Sequence, residues 1–351
     1  MNLDIPYQPK DPVSYRPRIG LIGCGGISKH HLIAYRKGNY DVAALCDVRK
    51  DAAELRRMEY YPDADTYDDY NELLKRDDIE VVDITVHPPS RPPIIEAALL
   101  ARKHVLSQKP YVLDLDVGER LADLADKMGV YLAVNQNGRW APHFSYMRQA
   151  IVEGVLGETM AAHMAVHWDH TWVKDYEFAK VKHLILYDYA VHWFDILRAF
   201  LPGKEAKRVY ASTARSPRQE IMPALLAQAL IEFDNAQATL TFDADTLAGK
   251  LDHTFIVGTN GVARSEGPSE KVQTVTISTP EGSWSPTLQG SWFSDGFHGT
   301  MAELLCAIEE KRPSTINARD NLESLALCFA AVQSGEIHEP VVPGTVRTLP
   351  A

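Results

Sequence analysis

Cysteine is scarce in this sequence: the 351 residues contain four, Cys24, Cys46, Cys306 and Cys328. None of them stands in a CxxC pair or another zinc-binding spacing. Two fall within apolar segments typical of strands and turns. The pattern indicates reduced, half-buried thiols, as expected of a cytosolic protein.

Long apolar runs are also lacking. No stretch approaches the roughly 18 uninterrupted apolar residues that a membrane-spanning helix needs. Residues 1–17 are polar and rich in proline, without the apolar region of a signal peptide. We therefore expect an extended N-terminal arm and a cytoplasmic location.

Positive charge is in deficit. Lysine and arginine number 36 against 47 aspartates and glutamates, a formal net charge of −11, and no basic run offers a local exception. Such a surface repels nucleic-acid phosphates, which excludes nucleic acid as the main partner. The length predicts about two domains, because a domain usually takes roughly 150 residues.

The first third of the chain alternates short β-branched runs with longer helical segments. This alternation is typical of βαβ units, and it predicts a doubly wound parallel sheet covered by helices on both faces. The expected strands are 19–22, 42–45, 81–86, 104–106 and 131–134, and the expected helices are 52–60, 70–75, 94–102 and 117–128.

The pattern changes after Asn137. Several β-rich runs are separated by turns, and Asp234-Asn235 predicts a tight hairpin. We expect an α+β domain with a largely antiparallel, open sheet. The predicted division is an arm at 1–17, a first domain at 18–137 and a second at 138–351. The expected strands are 160–168, 208–214, 225–233, 236–242, 254–257 and 272–278, and the expected helices are 142–153, 188–200, 296–310 and 317–333.

A glycine-rich turn follows the first strand and reads Gly23-Cys24-Gly25-Gly26-Ile27-Ser28. Gly23 permits the tight turn, Gly25 lets the backbone approach a pyrophosphate, and the next helix offers its N-terminal N–H groups. Ser28 stands where a third glycine or an alanine is usual. The turn predicts a dinucleotide-binding Rossmann domain.

Asp47 ends the second strand, where an acid accepts hydrogen bonds from the adenosine ribose and repels a 2′-phosphate. NAD is therefore favoured over NADP, and Arg49 is the residue that could reverse this preference. A glycine-rich turn that binds nothing is the alternative, but strand, turn, helix and acid occur here together. The predicted cofactor contacts are Gly23, Gly25, Gly26, Ile27, Asp47, Arg49, Thr85, His87, Gln108, Lys109 and Asn137.

Two further motifs complete the pattern. Residues 103–110 read Lys-His-Val-Leu-Ser-Gln-Lys-Pro, and 188–192 read Asp-Tyr-Ala-Val-His, with Asp-Gly-Phe at 295–297. With the glycine-rich turn, they make the chain resemble the Gfo/Idh/MocA family of glucose–fructose oxidoreductases and inositol dehydrogenases from Arg18 to about Gln333. The sequence departs from that family at Gln108, where glutamate is usual, at Arg91, where histidine is usual, and at 184–187, where glycines are common.

The resemblance implies an NAD-dependent oxidation of a carbohydrate-like hydroxyl. It makes His192 the base for the hydroxyl proton, with Asp188 orienting the imidazole. Lys109 would hold the reacting oxygen at the end of its strand. The alternatives are a solvated loop lysine at 109 and a core histidine at 192.

A cluster of histidines, His163, His167 and His170, lies around Asp169 and suggests a metal site. On a strand, His167 and Asp169 share one face while His170 points to the other, so convergence requires a bend. With the neighbouring tryptophans, a carbohydrate pocket is the better interpretation, and we expect no metal. The predicted substrate contacts are Lys109, Trp168, His170, Trp172, Asp188 and His192.

Three functions stay open. The leading one is an NAD-dependent dehydrogenase of a sugar, cyclitol or sugar derivative. The second is a glycoside hydrolase that oxidises its sugar transiently and returns the hydride, with no net redox change. The third is a non-catalytic NAD-binding sensor. By resemblance, we also expect a homodimer or homotetramer formed through the sheet of the second domain.

Overall fold

The structure is a computed structural model that describes residues 4–269 and 271–350. The chain folds as two compact units. The first, here the parallel-sheet unit, contains Gln8–Trp140 and Phe293–Leu322. The second, here the mixed-sheet unit, contains 4–7, Ala141–Trp292 and 323–350. The domain boundaries drawn from the sequence stay a prediction, because a compactly packed unit is not necessarily a domain that folds independently. Residues 1–3 of the predicted arm lie outside the described residues.

Six parallel strands form the sheet of the first unit, in the order β3-β2-β1-β4-β5-β6. The order reverses between β1 and β4, which creates the crevice where such sheets bind ligands. The predicted doubly wound fold is confirmed. The strands are β1 Arg18–Ile22, β2 Asp41–Cys46, β3 Asp65–Tyr67, β4 Ile79–Ile84, β5 His104–Ser107 and β6 Leu132–Val134.

Helices connect these strands, and local chemistry sets their ends. The Asp114 carboxylate caps α5 by accepting from the N–H groups of Asp116 and Val117, and Gly129 ends it at a φ of 69°. The helices are α1 Ser28–Lys37, α2 Lys50–Tyr60, α3 Tyr70–Leu74, α4 Arg91–Leu100 and α5 Leu115–Met128.

The core of the parallel-sheet unit also draws on a distant part of the chain. Phe297, Met301 and Leu304 are at most 1% exposed and pack in one cluster with Leu21 and Leu32. These three side chains come from α8, Trp292–Glu310. The unit is therefore assembled from two separate stretches of sequence.

The mixed-sheet unit contains eight strands, in the order β14-β13-β12-β11-β7-β10-β9-β8. Among the described strands of this sheet, only β7 and β10 pair in parallel; the other neighbouring strands are antiparallel, as expected. The predicted hairpin joins β9 to β10, with the Phe233 N–H donating to Ala236 O at 3.2 Å. The strands are β7 Thr159–His167, β8 Ala206–Ala214, β9 Leu226–Phe233, β10 Gln237–Asp243, β11 Leu251–Gly258, β12 Val262–Ser269, β13 Val272–Thr279 and β14 Gly282–Trp284.

The remaining helices include α6 Pro142–Val152, α7 Val191–Phe200 and α9 Ala318–Ile337. A π-helical turn at Leu184–Tyr189 precedes α7, so the helix expected from 188 starts three residues later. All four cysteines are buried thiols outside any disulfide, not half-buried ones, because each packs into a core. Among the residues that the structure covers, no helix is long and apolar enough to cross a membrane.

Candidate active site

The glycine-rich turn leaves an open cradle at the end of β1. Gly23 has a φ of 100°, and a Cβ there would lie 2.9 Å from the backbone nitrogen of Val86. Gly25 and Gly26 are exposed, and a Cβ on either would meet nothing within 4 Å. The turn therefore requires glycine at 23 and offers room for a ligand at 25 and 26.

Side chains hold this turn against its surroundings. The Cys24 N–H donates to Asp47 Oδ2 at 2.7 Å, and the Ser28 hydroxyl donates to Gly25 O at 2.7 Å. Arg56 Nε donates to Ser28 Oγ at 3.2 Å and its terminal nitrogen to Gly25 O at 3.3 Å. Ser28 is fully buried, so it packs where a third small residue is usual. Sequence reasoning missed Arg56, which lies in the middle of α2.

Asp47 serves two neighbouring backbone groups. Besides Cys24, it accepts from the Arg49 N–H at 2.9 Å through Oδ1. Asp47 remains partly exposed and Arg49 is exposed. A carboxylate has about four lone-pair sites, so Asp47 keeps acceptor capacity for a ribose.

The thiol in the turn is poorly suited to nucleophilic chemistry. Burial raises the pKa of Cys24 to about 12, and Asp47 adds to the effect. The thiol therefore stays protonated near neutral pH, and only a thiolate is a good nucleophile. The turn therefore offers no activated nucleophile.

The loop after β5 carries Lys109, which is partly exposed. Arg91, which is 1% exposed, donates to the carbonyl oxygens of Gln108 and Pro110 and, at 2.6 Å, to that of Val86. Gln108 is 5% exposed and accepts from the Lys109 N–H at 2.7 Å. Arg91 thus holds the backbone of the loop through hydrogen bonds to its carbonyl oxygens. This gives the arginine at position 91, where the family usually has histidine, a structural role.

The other predicted cofactor residues of this unit occupy different environments. Thr85 is buried and donates from its hydroxyl to Gly23 O, so it supports the turn. His87 is exposed, Ile27 is partly exposed, and Asn137 is buried. The structure brings the turn, Asp47 and Thr85 together at the carboxyl ends of β1, β2 and β4.

The cradle fits a dinucleotide. The open positions at Gly25 and Gly26, the first N–H groups of α1 and the Asp47 carboxylate are the chemistry that a pyrophosphate and a ribose require. No acidic side chain lies in the first turn of α1, so no carboxylate there opposes an anion.

In the mixed-sheet unit, Asp188 lies in the π-helical turn and His192 in the first turn of α7. Both are partly exposed. The His192 ring meets the Trp292 ring edge-on, at 5.6 Å between centroids and 82° between planes. The two residues are thus presented on consecutive turns, with an aromatic ring against the imidazole.

Stacked aromatic rings continue from this point. Tyr189 stacks on Trp193 at 4.5 Å and on Trp168 at 4.2 Å. The Trp168 indole N–H donates to His170 Nδ1 at 3.0 Å, and Trp172, which is 54% exposed, lies 5.0 Å from the His170 ring. We call these five side chains the aromatic wall. It contains the predicted contacts Trp168, His170 and Trp172 together with Tyr189 and Trp193, which the sequence analysis missed. Their position directly after Asp188 and His192 in the sequence could have indicated them.

The histidines considered for a metal site have separate partners. His163 Nδ1 lies 2.8 Å from Thr239 Oγ1, and His167 Nδ1 lies 2.7 Å from Asp243 Oδ2. A hydrogen bond from Thr171 holds the pKa of Asp169 below its ordinary value. Within the described residues, no group of three His, Cys, Asp or Glu side chains is arranged to hold a metal ion.

Comparison with known proteins gives the family. Residues 17–136 match the model of the oxidoreductase family with an NAD-binding Rossmann fold, and residues 144–264 match the GFO/IDH/MocA C-terminal domain. Among curated relatives, D-apiose dehydrogenase of Paraburkholderia graminis is 27% identical, covering 90% of this chain and 86% of that protein. Inositol 2-dehydrogenase of Rhizobium meliloti is also 27% identical, covering 90% of this chain and 96% of that protein.

Among solved structures, the fold is similar to that of an oxidoreductase from Agrobacterium radiobacter in complex with NAD+, L-tartaric acid and magnesium. The TM-score is 0.84 at 20% identity, covering 94% of this chain and 99% of that one. The family model of residues 17–136 gives NAD as the cofactor, and the glycine cradle fits a dinucleotide. The chain belongs to the Gfo/Idh/MocA family and is an NAD-dependent dehydrogenase.

Proposed function

We propose that this dehydrogenase oxidises a hydroxyl group of a sugar, cyclitol or sugar derivative. The observation that carries the proposal is the aromatic wall beside His192. Aromatic faces cover the apolar side of a sugar ring, and polar groups such as His170 bind its hydroxyls. The names of the apiose and inositol dehydrogenases support the same class of substrate.

Three residues receive roles in the reaction. His192 takes the proton of the reacting hydroxyl, since an imidazole is a suitable base near neutral pH. Asp188, on the preceding turn, orients that imidazole. Lys109 holds the reacting oxygen and stabilises the negative charge that develops on it. NAD, when bound, supplies the hydride acceptor.

The cofactor contacts are assigned by the same reasoning. We place the pyrophosphate at Gly23, Gly25, Gly26 and Ile27, and the adenosine ribose at Asp47 and Arg49. Gln108 contributes through the loop rather than through its side-chain amide, which is turned into the interior. Thr85, His87, Lys109 and Asn137 complete the proposed contacts.

Assembly is proposed through the open face of the mixed sheet. On this face, one row of paired residues joins Tyr210, Leu230, Thr239, His163 and Phe255 across five strands. Tyr210, Leu230 and Phe255 are 42%, 52% and 38% exposed. A second copy covering this row would bury those side chains, and light scattering of Leu230→Glu against the unmodified protein tests the expected homodimer or homotetramer.

The function is tested by nicotinamide absorbance with NAD and a panel of D-apiose, inositols, common aldoses and aryl glycosides. Absorbance that grows with a sugar or cyclitol supports the proposal. Aglycone release that needs NAD but leaves the absorbance flat indicates redox-assisted glycoside cleavage instead. Bound NAD with no reaction in either assay favours a sensor.

A further inference from the structure

A fully buried histidine–carboxylate pair lies beside the loop that carries Lys109. His31 on α1 and Asp83 on β4 are both 0% exposed, with His31 Nδ1 2.7 Å from Asp83 Oδ2. The Tyr35 hydroxyl donates to the same carboxylate oxygen at 2.6 Å. A carboxylate can only accept, so Nδ1 of His31 carries the hydrogen that points at Asp83.

The other ring nitrogen of His31 faces two carboxamides. Its Nε2 lies 3.3 Å from Gln108 Nε2 and 3.3 Å from Asn135 Nδ2. The Thr300 hydroxyl donates to Asn135 Oδ1 at 2.8 Å, which fixes the orientation of that amide. Gln108 Oε1 accepts from Asn135 Nδ2 at 3.2 Å and from the Lys109 N–H at 2.7 Å, so its nitrogen is the atom turned to His31.

These contacts determine the hydrogen positions on His31. Amide nitrogens donate and do not accept, so Nε2 of His31 must present a lone pair to both of them. With its hydrogen on Nδ1, the imidazole is neutral. It joins the Asp83 carboxylate on one side to the Gln108 carboxamide on the other, and Gln108 in turn holds the backbone of Lys109.

We propose that His31 is a positioning residue for Lys109, acting through Gln108. The inference rests on the proposed role of Lys109 in holding the reacting oxygen. It also explains why residue 108 carries a carboxamide. A glutamate there would place a carboxylate lone pair against the lone pair of His31 Nε2, and no hydrogen bond would form. A loop placed with an error of about 1 Å loses roughly 100-fold in rate.

Two substitutions of His31 test the roles of its two ring nitrogens separately. In His31→Asn, the amide nitrogen takes the place of Nδ1 and can still donate to Asp83, but no acceptor reaches Gln108. In His31→Gln, the longer side chain puts a carbonyl oxygen near the place of Nε2. We expect His31→Asn to raise amide exchange at Lys109 by about tenfold or more, and His31→Gln to restore most of the protection.

The same pair is assayed for turnover with the compound of the panel that reacts fastest. We expect His31→Asn to lower kcat by roughly 10-fold to 100-fold and to leave NAD affinity within about twofold. His31→Gln recovers kcat. Nitrogen-15 NMR of the histidines, assigned by the loss of one ring in His31→Asn, shows a protonated Nδ1 and an unprotonated Nε2 at His31.

Several results would overturn the proposal. These are an NMR signal from a protonated Nε2, normal exchange and kcat in His31→Asn, or equal damage in both variants. Lys109→Ala distinguishes the role of Lys109 in the reaction from the role of His31 in positioning the loop. If it leaves kcat unchanged, the role of Lys109 is wrong, while the NMR and exchange results still decide whether His31 holds the loop. If it abolishes kcat and His31→Asn does not lower it, the positioning role is wrong.

Discussion

Asp47 shows how one side chain can shape a site and select its ligand. Its two oxygens accept from the N–H groups of Cys24 and Arg49, so it joins the glycine-rich turn to the start of α2. The same carboxylate carries a negative charge at the place proposed for the adenosine ribose. The two tasks can be separated by changing the charge while keeping the size.

We expect Asp47→Asn to reduce the preference for NADH over NADPH by about tenfold, which corresponds to about 1.4 kcal/mol. The charge that repels a 2′-phosphate is lost, and the amide can accept only through one oxygen. Fluorescence titration with both cofactors measures the ratio. Asp51→Asn, on an exposed neighbour in α2, is the charge-matched control. An unchanged ratio in Asp47→Asn, or an equal change in Asp51→Asn, would argue against this role.

For His192, we expect His192→Asn to lower kcat/KM by about 10²-fold to 10⁴-fold, the usual contribution of a positioned base. NAD binding stays within about twofold. Steady-state kinetics and cofactor titration measure the two quantities. The control is His338→Asn, which removes an exposed imidazole at a φ of 57° that asparagine tolerates. Equal losses of kcat/KM in both variants would contradict the assignment of His192 as the base.

Among the elements, the connection from β1 to α1 depends on the backbone geometry of one glycine. Gly23 combines a positive φ with a close approach to Val86, whereas Gly129 at the end of α5 has a φ of 69° and open space around it. The comparison isolates the effect of crowding from that of backbone conformation.

Both Gly23→Ala and Gly129→Ala carry the cost of a left-handed conformation, roughly 1–2 kcal/mol. We expect only Gly23→Ala to lose NAD binding, because its methyl group must displace the backbone of Val86 and with it the cradle. Thermal unfolding with and without NAD measures both effects. Stabilisation of Gly23→Ala by NAD equal to that of Gly129→Ala would contradict the prediction.

Elements with a clear period were predictable, whereas several short or polar strands were not. The β-rich run at 225–233, whose apolar residues alternate, predicted β9, and the helical segment at 117–128 predicted α5 except for its first two residues. The short strands β3 and β14 and the polar strand β12, which reads VARSEGPS, escaped because they lack that alternation. The site divided in the same way. The glycine-rich turn has a local signature, whereas the His31–Asp83 contact joins residues 52 positions apart and leaves none.

At the scale of the whole molecule, hydrogen bonds hold the N-terminal segment against distant parts of the chain. The Glu309 carboxylate on α8 accepts from the N–H groups of Val13, Ser14 and Tyr15 at 2.6–2.8 Å. Asp11 accepts from the Tyr40 hydroxyl and from His298. Residues 8–17 of the arm that the sequence predicts therefore have no regular structure but are held within the parallel-sheet unit.

The hydrogen bond from the Ser14 hydroxyl and the three from N–H groups lower the pKa of Glu309 from 4.5 to about 2. A lowered folded-state pKa means that this contact stabilises the fold above the unfolded value and is lost as pH falls toward 2. We expect the protection factors of Ser14 and Tyr15 amides to collapse in that window, and Glu309→Gln to weaken them already at neutral pH. Glu323→Gln, an exposed control, leaves them intact. Protection that persists to the lowest pH would refute this.

The second stretch of the parallel-sheet unit leads to another expectation. A fragment of residues 8–140 lacks Phe297, Met301 and Leu304, and losing even one such side chain costs about 2–5 kcal/mol. We expect this fragment to bind hydrophobic dyes and to unfold without cooperativity. A peptide of residues 293–322 restores a sharp transition, whereas a scrambled peptide does not. Cooperative unfolding of the fragment alone would contradict the expectation.

The same arrangement constrains how the protein is made. Synthesis proceeds at about 5–20 residues per second, so the ribosome needs roughly 8–30 s to pass from the first stretch of this unit to the second. During that interval the six strands are complete, but the apolar surface awaiting α8 is uncovered. Residues 293–322 must return to residues 8–140 before the core of this unit is finished, so the unit can close only after the whole intervening segment has been made.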